Sequence, residues 1–189
     1  MRWQQLFADL QAQFDAEEAA AERNQTASRV RAEIGALRLA ERLGGAVGFP
    51  VALGCRGAGA VTGLLTHVGV DWLLLEGEGG REDLIALRSV RTVGGLGRLT
   101  GVAQPAGAVW SRLDLRRALR GLARDRAVVQ VILDDGATLT GTLDRVGADH
   151  VELAEHPSDQ PRRPGAVHGV RAVVVEAIAV VRTVPPGLG

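Results

Sequence analysis

The chain has 189 residues, 46% of them hydrophobic and 23% charged, and 22 arginines with no lysine balance 22 acidic residues. This composition supports buried aliphatic cores and argues against a protein that coats nucleic acid over its whole surface. No run of 18 apolar residues is present, and the start MRWQQLFADLQ lacks the apolar centre of a signal peptide. We therefore expect a cytoplasmic protein without membrane contact.

Residues 1–45 are predicted to form a helical hairpin. The first helix is expected to run to about Arg23, because large apolar residues recur at helical spacing, namely Trp3, Leu6, Phe7, Leu10 and Phe14. Asn24-Gln25-Thr26 predicts a break, and a second helix is expected from Ala27 to Leu43, ended by Gly44-Gly45. The aromatic start is expected to dock on the first β unit or on a second copy, so homo-oligomerisation through residues 1–45 is one hypothesis.

Residues 46–95 are predicted to form a first β unit. Alternating apolar residues flank a turn at Gly57-Ala58-Gly59. The tract Trp72–Leu75 is apolar on both strand faces, which predicts that both faces are covered. The aromatic start of the N-terminal helix is the cover that we expect.

A Gly- and Pro-rich connector, residues 96–110, precedes a predicted helix over Ser111–Arg126, with Ser111 as its N-cap. Residues 96–126 carry seven arginines and two aspartates, which makes this the basic region of the chain. The candidate nucleic-acid surface comprises the helix residues Arg112, Arg116, Arg117, Arg120 and Arg124, joined by Arg162 and Arg163 farther along. The alternative is a solvated face paired with acids of the second β unit.

Residues 111–184 are predicted to contain this helix and a second β unit that repeats the first. Gly63–Leu75, GLLTHVGVDWLLL, aligns with Gly141–Leu153, GTLDRVGADHVEL, 78 positions later. The repeated positions that we expect to be structural are Gly63, Gly69 and Asp71 in the first copy and Gly141, Gly147 and Asp149 in the second. Glycine in mid-strand permits a sharp bend, so each copy is expected to close into its own five-stranded barrel. One sheet running through both halves would contradict separate closure.

The order of motifs resembles the Sm/LSm-type (Hfq-like) small barrel, an SH3-like fold. The resemblance lies in a helix followed by Val129–Gly136, Thr138–Leu143, Asp149–Leu153 and Val173–Val184, and residues 49–93 resemble the same barrel more faintly. It implies an α+β, mainly β protein with an N-terminal helical hairpin and two tandem Sm-like barrels. Proteins of this family commonly form rings that bind single-stranded RNA. Here Glu176 occupies the position of a cationic pair in the bacterial members.

No constellation in the sequence predicts catalysis, a cofactor or a metal. His150, His156, His168 and Asp159 match no compact ligand spacing, and Cys55 has no partner cysteine. Asp134-Asp135 precedes Gly136 as in a turn, and the glycines of Gly94–Gly97 lack the Lys-Ser/Thr of a phosphate loop. The leading hypothesis is a non-catalytic adaptor or scaffold that binds a protein partner or itself. The alternatives are an RNA-binding post-transcriptional regulator and, third, a DNA-binding transcriptional regulator.

Overall fold

The computed structural model describes residues 38–96, 112–157 and 168–183 continuously, with helical positions at 11, 13, 18, 22–25, 28–29, 32 and 35–36. The chain divides into two compact units, Met1–Arg38 and Leu39–Gly189. Within the first unit, the predicted break at Asn24-Gln25 is wrong, because both residues are helical. Each disfavours a helix by only a few tenths of a kcal/mol, which the flanking helical sequence outweighs. Thr26 lies outside the described residues.

The second unit is mainly β, as the sequence predicts. Its helices are α1 (Leu39–Gly44) and α2 (Leu115–Asp125), with 3-10 helices at Glu78–Gly80, Leu87–Ser89 and Val175–Ala177. Its strands are β1 (Pro50–Cys55), β2 (Gly59–Val68), β3 (Trp72–Glu76), β4 (Glu82–Ala86), β5 (Val90–Gly94), β6 (Val128–Leu133), β7 (Thr138–Val146), β8 (His150–Glu155), β9 (Gly169–Val174) and β10 (Ile178–Thr183). None of the helices among the described residues is both long enough and apolar enough to span a bilayer.

The ten strands found in the described residues belong to one antiparallel sheet, ordered β5-β1-β2-β3-β4-β10-β6-β7-β8-β9. In each half the fifth strand lies first, followed by the first, second, third and fourth. The halves are joined where β4 pairs with β10. The expectation that each half closes separately is therefore wrong, because β4 uses its free edge to bind the other half.

The joint between the halves, β4·β10, combines apolar pairing with a buried ion pair. Val180 lies opposite Ile85, Val181 opposite Leu84, and Arg182 opposite Asp83. Arg182 Nε donates to Asp83 Oδ1 at 2.6 Å, and Arg81 Nη2 lies 3.2 Å from Asp83 Oδ2. Asp83 is completely buried. A buried carboxylate is costly unless cations compensate it, so this pair favours one register and one partner strand.

The joint strands and the adjacent strand β3 contribute residues to both hydrophobic cores of the unit. Side chains of successive residues point to opposite faces of a strand. The first core accordingly contains Leu73, Ile85 and Val180, whereas the second contains their neighbours Trp72, Leu84 and Val181. The two halves therefore share strands and are not independent barrels.

The tract Trp72–Leu75 is covered on both faces, as predicted. Trp72, Leu73 and Leu75 are each at most 2% exposed. The cover over Trp72 is α2, because Leu115 and Leu119 lie in the same core and the indole Nε1 donates to Leu113 O at 2.8 Å. Helix α2 therefore covers the Trp72 face, while the aromatic start of the N-terminal helix that we expect as the cover, Trp3, Phe7 and Phe14, lies outside the described residues.

The turns between the second and third strands of the two halves have the same hydrogen bonds. Gly69 N donates to Trp72 O, and Gly147 N donates to His150 O, both at 2.8 Å. In each turn a ring packs against the glycine, so that an added Cβ would lie 2.2 Å from the Trp72 indole or 2.7 Å from the His150 imidazole. Tight packing, and not a positive φ, requires glycine here.

Other repeated positions also share their backbone surroundings. A Cβ on Gly63 would lie 2.6 Å from Glu76 O, and one on Gly141 would lie 2.0 Å from Ala154 O. The carbonyls of Asp71 and Asp149 each accept a 2.8 Å hydrogen bond, from Leu87 N and Val175 N respectively. Close approach of a neighbouring strand therefore explains both mid-strand glycines.

We predict that Arg182→Ala lowers the free energy of unfolding by about 3 kcal/mol, because it leaves a buried carboxylate with one cation fewer. Urea denaturation measures the change. Arg171→Ala is the matched control, since Arg171 pairs with Glu155 at the exposed end of the sheet and surface pairs contribute about 1 kcal/mol or less. Equal losses in the two variants would contradict a structural role for the joint.

Candidate interaction surfaces

Helix α2 begins later than the sequence predicts. Its N-cap is Asp114, whose Oδ1 accepts a hydrogen bond from Arg117 N at 2.9 Å. A second carboxylate satisfies another free amide, since Leu115 N donates to Asp71 Oδ1 at 2.7 Å. Two aspartates thus accept hydrogen bonds from the first turn, one from each half, and Ser111 lies outside the described residues.

The Asp114 carboxylate is stabilised in its charged form. The backbone hydrogen bond from Arg117 is the main cause of its lowered pKa, and the side chain of Arg116 adds a further hydrogen bond and positive charge. Asp149 also has a lowered pKa, chiefly through its hydrogen bond with His150. The two repeated aspartates therefore differ, because the side chain of Asp71 caps α2 while that of Asp149 binds a neighbouring imidazole.

The structure divides the predicted arginine surface into two groups. Arg116 donates to Ala148 O at 2.8 Å and to Asp114 at 3.1 Å, and Arg124 lies 3.6 Å from Asp125. Arg112, Arg117 and Arg120 are exposed, and none of them forms an ion pair with any residue that the structure describes. Arg112 precedes the helix. Three cations thus remain available to a ligand.

Arg162 and Arg163 lie outside the described residues.

A groove adjoins this helix, and we call it the α2 groove. Its volume is about 630 Å³, and it lies between α2 and the strands β3, β4 and β10. The walls are formed by Trp72, Leu74, Glu82, Leu84, Leu113, Arg117, Ala118, Arg120, Gly121, Leu122, Arg124, Asp125, Val181 and Thr183. In this groove, apolar side chains from both halves of the unit therefore lie beside the cationic side chains of α2.

Among the strands that the structure describes, β5 and β9 are the outermost and form the two edges of the sheet. On β9, Val170 is 61% exposed and Val174 is 55% exposed. Exposed apolar residues on an unpaired strand favour association with another strand, which many proteins prevent with edge charges. Arg171, the charge on this strand, forms an ion pair with Glu155 on β8.

A further arginine stabilises the contact between the halves, and the sequence did not single it out. Arg88 Nε donates to Glu176 O at 3.0 Å, its Nη2 donates to Ile178 O at 3.1 Å, and the Glu176 carboxylate lies 3.3 Å from its Nε. Glu176 stands where the bacterial members of the Sm-like family have a cationic pair, and its carboxylate therefore binds Arg88 at this contact.

His156, Cys55 and Asp135 have structural surroundings, and Asp159 lies outside the described residues. His156 is buried, with Nε2 2.8 Å from Thr142 Oγ1 and Nδ1 2.9 Å from Pro157 O. Burial is the main cause of the raised pKa of the Cys55 thiol. Asp135 accepts a hydrogen bond from Ala137 N within its turn, at 2.9 Å. The described part of the chain contains no group of three or more ligand-type side chains placed to hold a metal ion.

Comparisons with protein-family models, with curated proteins and with solved structures found no match. The surfaces themselves therefore have to support any functional proposal. The described residues offer three kinds of surface, namely the sheet edges β5 and β9, the arginines of α2 that have no ion pair, and the α2 groove.

We predict that Asp114→Ala lowers the free energy of unfolding by about 1 kcal/mol, because the N-cap acceptor is lost. Asp114→Asn keeps a cap of similar quality and removes only the charge. Since the folded-state pKa lies below the ordinary value of 3.8, the charge stabilises fully above pH 3.8 and is lost as pH falls through the folded pKa. Urea denaturation at neutral and acidic pH should show the difference between Asp and Asn shrinking in acid. A difference that grows would contradict this assignment.

Proposed function

We propose that the protein is a non-catalytic scaffold made of two Sm-like halves, and that it associates with further copies through β5 and β9. The observation that carries the proposal is the joint inside the chain. There the fourth strand of one half pairs with the fifth strand of the other. The edges that remain are a fifth strand, β5, and a fourth strand, β9.

The free edges are therefore complementary in type, and pairing them is a head-to-tail contact. Contacts of this kind produce a ring when the rotation closes and a filament when it does not. The exposed valines of β9 supply apolar area to such a contact. Cytoplasmic location and the Sm-like assignment belong to the same proposal.

The residues at the free edges differ from those at the joint, which sets the expected strength of the contact. On the fourth strand of the first half, Asp83 lies opposite Leu75. At the equivalent position of the second half, Arg171 lies opposite Leu153, so on the free edge β9 an arginine replaces the buried carboxylate of the joint. In the second half, Arg182 on the fifth strand lies opposite Gln130. The equivalent of Gln130 in the first half, 78 positions earlier, is Ala52, and Gly94 lies opposite it. On the free edge β5, a glycine therefore replaces the arginine of the joint. Without the ion pair, association between chains is weaker than the internal joint and depends on protein concentration.

The single-stranded RNA hypothesis is the second candidate, and one observation favours it. Arg112, Arg117 and Arg120 are exposed cations without an ion pair among the described residues. Cations of this kind bind phosphates in a salt-dependent manner. The acidic side chains Glu82 and Asp125 at the adjoining groove weigh against a long polyanion, so we place the scaffold first.

We predict that sedimentation of the wild type shows mass rising above 19.9 kDa with concentration, and that Ala172→Pro abolishes the rise. Val175 N donates to Asp149 O, on the β8 side of β9. Because the direction of the N–H groups alternates along an antiparallel strand, Ala172, three residues earlier, directs its N–H to the free edge. Proline there removes an edge donor and spares the β8·β9 pairing. Ala172→Ser is the matched control that keeps the donor. A wild type that stays monomeric, or a proline variant that still assembles, would refute edge pairing.

We predict for the second candidate that Arg117→Glu/Arg120→Glu reduces the salt dependence of single-stranded RNA binding by a slope of about 2, one for each lost phosphate contact. Filter binding at several salt concentrations measures it. Arg116 is left intact because it anchors the helix to Ala148. Arg91→Glu on β5 is the control, and an equal loss in that variant would indicate nonspecific charge.

A further inference from the structure

The α2 groove combines apolar walls with charged groups of both signs. On its sheet side it extends along β4 from Glu82 to the level of Trp72, which faces Ala86, a length of roughly 13 Å. Leu74 is partly exposed on this side, whereas Leu84 and Val181 are at most 5% exposed and form its base. The Trp72 Nε1 is already bonded to Leu113 O, so the indole offers the groove only its apolar surface.

The polar groups of the groove are unevenly placed. Arg117 and Arg120 lie one helical turn apart, exposed, with no ion pair among the described residues. Glu82 is held at the start of β4, where its N–H and C=O both bond to Thr183 Oγ1, and Asp125 pairs with Arg124. Two cations without an ion pair, in a groove that also contains the carboxylates of Glu82 and Asp125, favour a ligand with a single anionic head over an extended polyanion.

A glycine in the wall of the groove keeps the space open. Gly121 lies inside α2, where glycine costs about 1 kcal/mol relative to alanine. It has no positive φ, and a Cβ built on it would meet no atom within 4 Å. Neither backbone conformation nor close packing within the described chain therefore requires glycine at this position, whereas a bound ligand would use the space.

We propose that the α2 groove binds a small amphiphile, an unbranched acyl chain that carries one carboxylate. The chain lies along the partly exposed side chains of Leu74, Leu113 and Leu122, and the carboxylate receives hydrogen bonds from Arg117 and Arg120. A volume of about 630 Å³ is in the range of small-molecule sites, in which a few polar groups orient the ligand against apolar walls. Arginine binds carboxylates in a bidentate manner, so Arg117 and Arg120 on neighbouring turns of α2 orient the ligand. The site lies away from β5 and β9 and does not depend on edge pairing.

The test is titration of the full chain with octanoate and decanoate, followed by calorimetry and by fluorescence of Trp72. Trp3→Phe/Trp110→Phe leaves Trp72 as the single tryptophan of the three in the chain. We expect one saturable site per chain, with Kd falling about fourfold for each added methylene. Decanol, which lacks the charge, should bind more weakly than decanoate.

Two variants separate the apolar part of the site from the charged part. Gly121→Leu adds a bulky side chain to the groove wall at a position where a Cβ meets no atom, so it should abolish binding while the melting temperature stays equal or rises. Arg117→Gln/Arg120→Gln should weaken decanoate binding by at least about tenfold and leave decanol unchanged. Arg112→Gln, outside the groove, is the matched control and should bind as the wild type does.

Several results would overturn the proposal. They are no saturable binding by the wild type, undiminished binding by a folded Gly121→Leu variant, or equal affinity for decanol and decanoate. Binding of an acidic, leucine-rich helical peptide in place of decanoate would likewise overturn it, and would assign the groove to a protein partner. Ala172→Pro should bind decanoate normally, so failure of edge assembly and failure of ligand binding are distinguished.

Discussion

The Asp83–Arg182 ion pair is the interaction on which the arrangement of the two halves depends. A carboxylate with no exposure to solvent requires its cations, and one of those cations lies on the last strand of the chain. Pairing β4 with β10 satisfies it and at the same time sets the register of Val180 and Val181 against Ile85 and Leu84. From that register follow the shared strands and the two cores on opposite faces.

The position of α2 follows from the same arrangement. Leu115 and Leu119 pack with Trp72 of the first half and with Val129 and Leu143 of the second. Its first turn receives hydrogen-bond acceptors from Asp71 and Asp114. The helix therefore belongs to both halves, and the groove beside it exists because α2 packs against β7 while the joint strands continue beyond.

Local features of the fold could be predicted from sequence, because they depend on neighbouring residues. Period-2 alternation located β6 to β8, and the tract Trp72–Leu75 correctly indicated coverage on both faces. Glycines 69 and 147 marked two turns that have the same hydrogen bonds. The helix start was placed too early because Ser111 and Asp114 both have cap chemistry, and it is Asp114 that accepts the hydrogen bond from Arg117 N.

The joint and the groove could not be predicted, because both depend on residues far apart in the chain. Asp83 stands beside an apolar Leu-Ile-Ala tract and Arg182 after an apolar Ala-Val-Val tract, so each resembles an ordinary strand-end charge. Their pairing spans 99 positions, and no periodicity reports it. Likewise, Gly121 has no special meaning in a helical pattern until the opposing strands are in place.

The order in which the strands are synthesised has a consequence for biogenesis. Arg182 on β10 follows Asp83 by 99 positions, so the first half leaves the ribosome with the outer edge of β4 unpaired and with Arg81 as the cation beside Asp83. Such an edge is open to other nascent chains until roughly a hundred further residues have been added, at about 5–20 residues per second. Pairing with another chain during this interval of several seconds competes with formation of the native joint.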